Sequence, residues 1–235
     1  MKSVRDLIQQ GDRFFRWRGA ETSRLEALFD MVLAMALTLT VISMEVPQTF
    51  DDLVGSFAKL PSFAVCFLIL LMCWYYHFQF HRRFGIENFP LIILSGLLLF
   101  IILIYVYPLK FLYSVLFAPD AQRLNPAQGQ TLIALYSAGF AAIFIMFGLM
   151  HSYAYLYRVE LGLNQNEIVL TKSAIGTHLV YAGVACLSIL MIGFQVGGTW
   201  SGWVYLLIGP LQFANGWYWG QRIIEPVASA AETDE

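Results

Sequence analysis

Residues 23–30, SRLEALFD, run directly into residues 31–47, MVLAMALTLTVISMEVP. The first stretch starts a helix, and the second is apolar enough to carry it into a lipid bilayer. Ser23 followed three residues later by Glu26 is a capping box, in which hydroxyl and carboxylate each satisfy a backbone N–H of the first turn. Arg24 sits at the border, where an arginine reaches back to lipid headgroups. Asp30 lies two turns past the cap. A carboxylate inside a membrane is costly even on lenient insertion scales, so it requires a partner or water.

The rest of the chain has the same character. Of its 235 residues, 58% are hydrophobic and 13% charged, with a mean hydropathy of +0.63; soluble domains have roughly 45–50% apolar and about 25% charged residues. This composition belongs to an integral membrane protein. Six segments, 29–47, 62–82, 90–117, 131–156, 174–195 and 200–220, supply the about 20 apolar residues that a crossing needs. The expected fold is all-α, with six transmembrane helices over 29–220 and no soluble domain. A basic segment, 1–28, precedes them, and an acidic tail, 221–235, follows and reads as disordered. The N-terminus has no early apolar core and no small-residue cleavage site, so it is not a cleaved signal peptide.

Lys and Arg are unevenly divided among the connections. Lys2, Arg5, Arg13, Arg16, Arg18 and Arg24 precede the first span, Arg82 and Arg83 follow the second, Arg158 and Lys172 the fourth, and Arg222 the sixth. Only Lys59, Lys110 and Arg123 fall on the other side. The positive-inside bias therefore predicts a multi-pass protein of the cell membrane, plasma or inner, with both termini cytoplasmic. The loop 196–199 is short, so the last two spans form a tight hairpin. The halves share no motif, which implies one unduplicated unit that makes a pore only by assembling around a symmetry axis.

Beyond Asp30 the first span carries hydroxyls at Thr38, Thr40 and Ser43. Met35, Thr38, Leu39 and Ile42 share one face by the i, i+3, i+4, i+7 rule. Such a face either packs on a neighbouring helix, with threonine bonding back to its own carbonyls, or lines a narrow ion pathway. Periodicity does not choose between the two.

These residues resemble a known family. RLEALFD ahead of an apolar span with threonines resembles the Arg-x-x-x-Phe-Ser-Asp motif of the first helix in the transmembrane protein 175 family, the endosomal and lysosomal potassium channels with bacterial and archaeal relatives. Trp74-Tyr75-Tyr76-His77 resembles the family's Trp-x-x-His in the second helix. Residues 88–108, NFPLIILSGLLLFIILIYVYP, resemble its Asn-led, leucine-rich third helix ending in an aromatic-Pro pair, here Tyr107-Pro108. The resemblance implies a homotetrameric potassium channel in the lipid bilayer, with the first helices lining the axis and no carbonyl filter. It puts the pore lining and constriction on Met35, Thr38, Leu39 and Ile42, and a polar network behind them on Arg24, Asp30, Trp74 and His77. It implies no cofactor, no metal, no nucleic-acid partner and no enzymatic activity. Where the family has Phe-Ser-Asp, this chain has Leu28-Phe29-Asp30, so the aromatic has moved by one position, about 100° around the helix.

The remaining candidates are weaker. His77 and His81 have i, i+4 spacing without an adjacent Cys or carboxylate to complete a metal site, and His151 and His178 read as interfacial. Cys66, Cys73 and Cys186 lie in apolar runs and read as small buried hydrophobes. The rival classes are a membrane haem or quinone redox protein, which needs facing histidines deep in the bilayer, and a secondary transporter, for which only the Gly209-Pro210 break speaks. Phe14-Phe15-Arg16-Trp17-Arg18 reads either as a stretch lying on the membrane surface or as a disordered basic leader.

Overall fold

A computed structural model describes residues 14–19, 21–42, 48–58, 60–117, 124–196 and 198–224; the side chains at 39–42, 58 and 198–200 lie outside the description. Most of the basic leader and the tail beyond residue 224 are likewise outside it. The described residues are all-helical: α1 Arg24–Ile42, α2 Phe50–Ala58, α3 Leu60–Phe84, α4 Phe89–Phe117, α5 Pro126–Leu156, α6 Gln165–Gly193, a 3-10 helix Gly198–Leu207, and α7 Ile208–Gly220. Among them α3, α4, α5 and α6 are long and apolar enough to cross a membrane.

The helices start where side chains can satisfy their orphan N–H groups. The predicted box at Ser23 and Glu26 is present, with Ser23 N donating to Glu26 Oε2 at 2.9 Å and Glu26 N donating to Ser23 Oγ at 3.0 Å. Asn125 with Gln128 and Asn164 with Glu167 make the same box at α5 and α6. Thr49 and Asp52 do so at α2, where the Thr49 side chain and backbone N–H hold the Asp52 carboxyl below its ordinary pKa.

The elements pack largely in chain order. α1 packs on α3 and α4, α4 on α5, α5 on α6, and α6 on both the 3-10 helix and α7. α5 is the central post, with more than half of its apolar window buried.

The predicted span 200–220 is not one α-helix but a 3-10 helix followed by 13 α-helical residues. Pro210 has no N–H to give back to Leu206, so the α-helix begins around it, where a proline costs nothing. Here Tyr205 OH donates to Ser137 Oγ (2.9 Å) and Ser188 Oγ donates to the Ser201 carbonyl (3.0 Å), tying the segment to α5 and α6. Gln212 and Asn215 hold α7 to α6 through Thr177 and Ser173.

Two further expectations are corrected. Cys66 and Cys73 are buried but Cys186 is exposed on α6. The stretch Phe14–Arg18 belongs to neither alternative: Phe15 is only 2% exposed, edge-on to Phe84 at 5.4 Å with the Arg83 guanidinium 5.0 Å over its ring. An aromatic flanked by cations finds apolar cover at the end of α3 that a membrane surface would otherwise supply.

α4 and α5 meet where Gly139 faces the ring of Tyr105, a fully buried side chain that a Cβ at Gly139 would overlap. Gly139→Ala is therefore expected to lower stability by about 1–3 kcal/mol through overpacking, read as thermal unfolding in detergent. Gly96→Ala on α4, whose Cβ would meet nothing within 4 Å, is expected to be neutral or slightly stabilising. Equal unfolding temperatures for the two variants would contradict this packing.

Candidate functional site

α1 has two unlike faces. Leu25, Phe29, Leu33 and Ala36 are each at most 9% exposed and form the stripe that packs on α3 and α4. On the opposite side Leu28 (46%), Met31 (61%) and Met35 (64%) are left uncovered, and Arg24 and Thr38 are also exposed. The intervals 24, 28, 31, 35, 38 alternate between four and three, the seam spacing of helices that meet around a common axis. Ile42 continues it in sequence and Leu39, four residues after Met35, lies beside it, but their side chains lie outside the described residues. Met31 and Leu28 extend the seam by two positions that the sequence reading did not select. The signal for them was present in that same spacing, read backwards from Met35.

Thr38 shows the local bond that a threonine makes in a helix: its hydroxyl donates to the Ala34 carbonyl at 2.8 Å. The proton is turned back along the helix, so Thr38 offers its oxygen as an acceptor only, with two lone pairs.

Behind the seam, Phe29 and Asp30 reach α3. Phe29 is fully buried and lies flat on His77, with ring centroids 3.6 Å apart and planes 8° from parallel. Asp30 Oδ1 accepts a 2.8 Å hydrogen bond from Trp74 Nε1. The indole N–H thus supplies the carboxylate with a hydrogen-bond partner. Trp74 stacks on Phe78 in turn. The structure thus brings Asp30 to Trp74 and α1 to His77. Arg24 is an exposed first-turn residue on the seam side, and no hydrogen bond or ion pair joins it to the other three in the single chain. Asn88 links α4 to α5, its Nδ2 donating to Tyr153 OH at 2.6 Å.

His151 and His178 differ from the interfacial reading: like His77 and His81, they are at most 3% exposed. His77 Nε2 and His81 Nε2 are 3.1 Å apart, His151 Nδ1 bonds the Phe147 carbonyl at 2.9 Å, and the His151 and His178 rings are 4.7 Å apart. Among the described residues no group of three or more His, Cys, Asp or Glu is arranged to hold a metal ion. Their burial depends on α3, α5 and α6 converging, which spacing within one helix does not reveal.

The chain is similar to known proteins along most of its length. Residues 24–108 match the family described as endosomal/lysosomal potassium channel TMEM175. A potassium channel of Marivirga tractuosa is 36% identical over 234 residues, covering 92% of this chain and 95% of that one. A potassium channel of Chamaesiphon minutus is 28% identical over 143 residues, covering 57% and 66%. Among solved structures, the potassium channel MtTMEM175, crystallised as a variant in complex with a nanobody–MBP fusion, superposes with a TM-score of 0.77 at 32% identity, covering 88% of this chain and 97% of that one. A lysosomal potassium-selective channel TMEM175 homolog from Chamaesiphon minutus shares the fold, with a TM-score of 0.53 at 22% identity.

The Asp30–Trp74 bond gives a direct test. Trp74→Phe keeps the ring and removes the donor, and is expected to cost about 1.5 kcal/mol, the low end for a hydrogen bond to a charged group because Asp30 is exposed in the single chain. Asp30→Asn, whose amide oxygen still accepts, is expected to cost less than Asp30→Ala. Unfolding measurements that rank the two Asp30 variants the other way would contradict the role given to this bond.

Proposed function

The chain belongs to the TMEM175 family of endosomal/lysosomal potassium channels, and on that premise we propose that it is a potassium channel whose pore is lined by α1 of four copies. The observation that carries this reading is the seam. One face of α1 is used against α3 and α4, and the other leaves Leu28, Met31, Met35 and Thr38 exposed among the described residues. A homotetramer around that seam would bury the flanks of α1 between subunits and leave its centre as a conduit.

In this reading potassium passes by diffusion, and the protein catalyses no reaction. Rings of Met35, Leu39 and Ile42 form apolar constrictions that gate by wetting, and the ring of Thr38 oxygens replaces part of the ion's hydration shell. No Thr-Val-Gly-Tyr-Gly segment is present in the sequence, so selectivity rests on hydroxyls and pore width and is modest. Met35 is a flexible thioether at the narrowest point, which makes the constriction softer than a branched side chain would.

Asp30, Trp74 and His77 form the support behind the pore within a subunit, and Arg24, on the seam side, joins that support between neighbours. The channel unit comprises six crossings over 29–220. α1 and the 3-10 helix joined to α7 supply the two beyond the four long apolar helices. The protein sits in the cell membrane with the basic segment 1–28 and the tail 221–235 on the cytoplasmic side, as the distribution of Lys and Arg supports.

Purified protein reconstituted in liposomes is expected to release potassium down its gradient. Met35→Ala widens the constriction and is expected to raise the flux. Thr38→Ala removes one oxygen per subunit from the path and is expected to lower the preference for potassium over sodium by at most about tenfold, equivalent to about 1.4 kcal/mol. An absence of flux, or flux and preference unaltered by both substitutions, would contradict the reading.

A further inference from the structure

Residues 14–19 run across one end of the bundle as a strap, and Arg18 is its most heavily bonded residue. Its guanidinium grips Glu167 in a two-pronged pair, Nη1 to Oε1 at 3.0 Å and Nη2 to Oε2 at 2.7 Å. It also donates to the carbonyls of Leu161 (3.0 Å), Gly162 (3.2 Å) and Arg16 (3.2 Å). Glu167 is 1% exposed and belongs to the capping box that starts α6; it accepts a third bond from the strap, Arg16 N, at 2.9 Å. A fork of this kind fixes direction as well as distance, which a lysine ammonium does not.

The other side of the strap is tied to α3 and α1. The Arg82 carbonyl, in the last turn of α3, accepts from Arg18 N (3.0 Å) and Gly19 N (3.2 Å). The Arg82 guanidinium returns two bonds, to the Gly19 carbonyl (3.0 Å) and Thr22 Oγ1 (3.2 Å), and its Nε lies 4.0 Å from Glu26 Oε1. Glu26 is the carboxylate that caps α1. Gly85, at φ +59°, ends α3 where a Cβ would come 3.0 Å from the Arg18–Gly19 backbone, closer than an ordinary contact. Gly19 itself sits so close to the His81 carbonyl that no side chain fits there.

These bonds form one path from the first turn of α6, through Glu167, Arg18, the strap and Arg82, to the first turn of α1. α1 packs on α3 and α4, and α6 packs on α5, α7 and the 3-10 helix, so the strap reaches from the helix proposed to line the pore to the outer half of the bundle. We propose that Arg18 is a positioning residue for conduction: through the strap it holds the start of α1 in register with α6, and with it the Leu28–Met31–Met35–Thr38 seam. This inference rests on the reading of α1 as the pore helix.

The test measures potassium flux per assembled channel in liposomes for the native full-length chain, Met35→Ala, Arg18→Gln, Arg18→Lys and Gly19→Ala, with the assembled fraction determined by size exclusion. Arg18→Gln is expected to lower flux per assembled channel by roughly fivefold or more, the lower end of coupling between separate sites, while assembly persists. Arg18→Lys is expected to fall between native and Arg18→Gln. Gly19→Ala, which wedges the strap off α3 without removing a charge, is expected to act in the same direction. Flux per assembled channel unaltered in Arg18→Gln and Gly19→Ala overturns the proposal, as does flux lost only in step with assembly, which makes the strap a folding element alone. A native chain that carries no potassium overturns the pore reading as well, a result distinct from native flux that ignores the strap.

Discussion

Two consecutive residues of α1 grip α3 in different ways, and the use of the rest of α1 depends on that grip. Phe29 lies flat against His77, and Asp30 accepts the Trp74 indole N–H. The stack fixes the rotation of α1 because a buried ring tolerates little sliding in a close-packed interior. The hydrogen bond is directional and holds the neighbouring position. With the angle set, Leu25, Leu33 and Ala36 face inward, and Leu28, Met31, Met35 and Thr38 face out of the chain. A rotation of about 100°, one residue, would carry the seam off its face.

The Leu28-Phe29 pair takes its meaning from this grip. The aromatic at 29 is the ring that stacks on His77, while Leu28 stands 46% exposed at the start of the seam. Moving an aromatic by one position thus exchanges a large exposed side chain for a buried stack. Elsewhere in the bundle a hydroxyl network ties the 3-10 helix to α5 and α6, with Ser188 Oγ donating to the Ser201 carbonyl and Tyr205 OH to Ser137 Oγ. In both places a polar group is answered by a named partner.

Much of this was legible in the residues themselves. The capping box at Ser23 and Glu26 is a local pattern, and the four long apolar helices follow from length and composition. Asp30 called for a partner on energetic grounds, and Trp74 now stands 2.8 Å from it. What was not legible is non-local. Arg18 and Glu167 lie 149 residues apart, so nothing in the leader signals that it is a strap. His151 and His178 read as interfacial from their positions in the sequence, and they are buried, with His77 and His81, where α3, α5 and α6 converge. The break before α7 had its signal, Gly209-Pro210, but an apolar window does not distinguish a 3-10 helix from an α-helix. Met31 and Leu28 needed the burial of the opposite face before the seam was visible in full.

The most direct measurement of the central claim, that the uncovered face of α1 lines the water path, is cysteine accessibility in the reconstituted channel. A charged, water-soluble thiol reagent applied to Met31→Cys, Met35→Cys and Thr38→Cys proteins is predicted to label each and to block potassium flux. Leu33→Cys, on the buried face, and the unsubstituted chain are predicted to stay unblocked. Block at Leu33→Cys with none at Met31→Cys or Met35→Cys would place the pathway elsewhere and contradict the account.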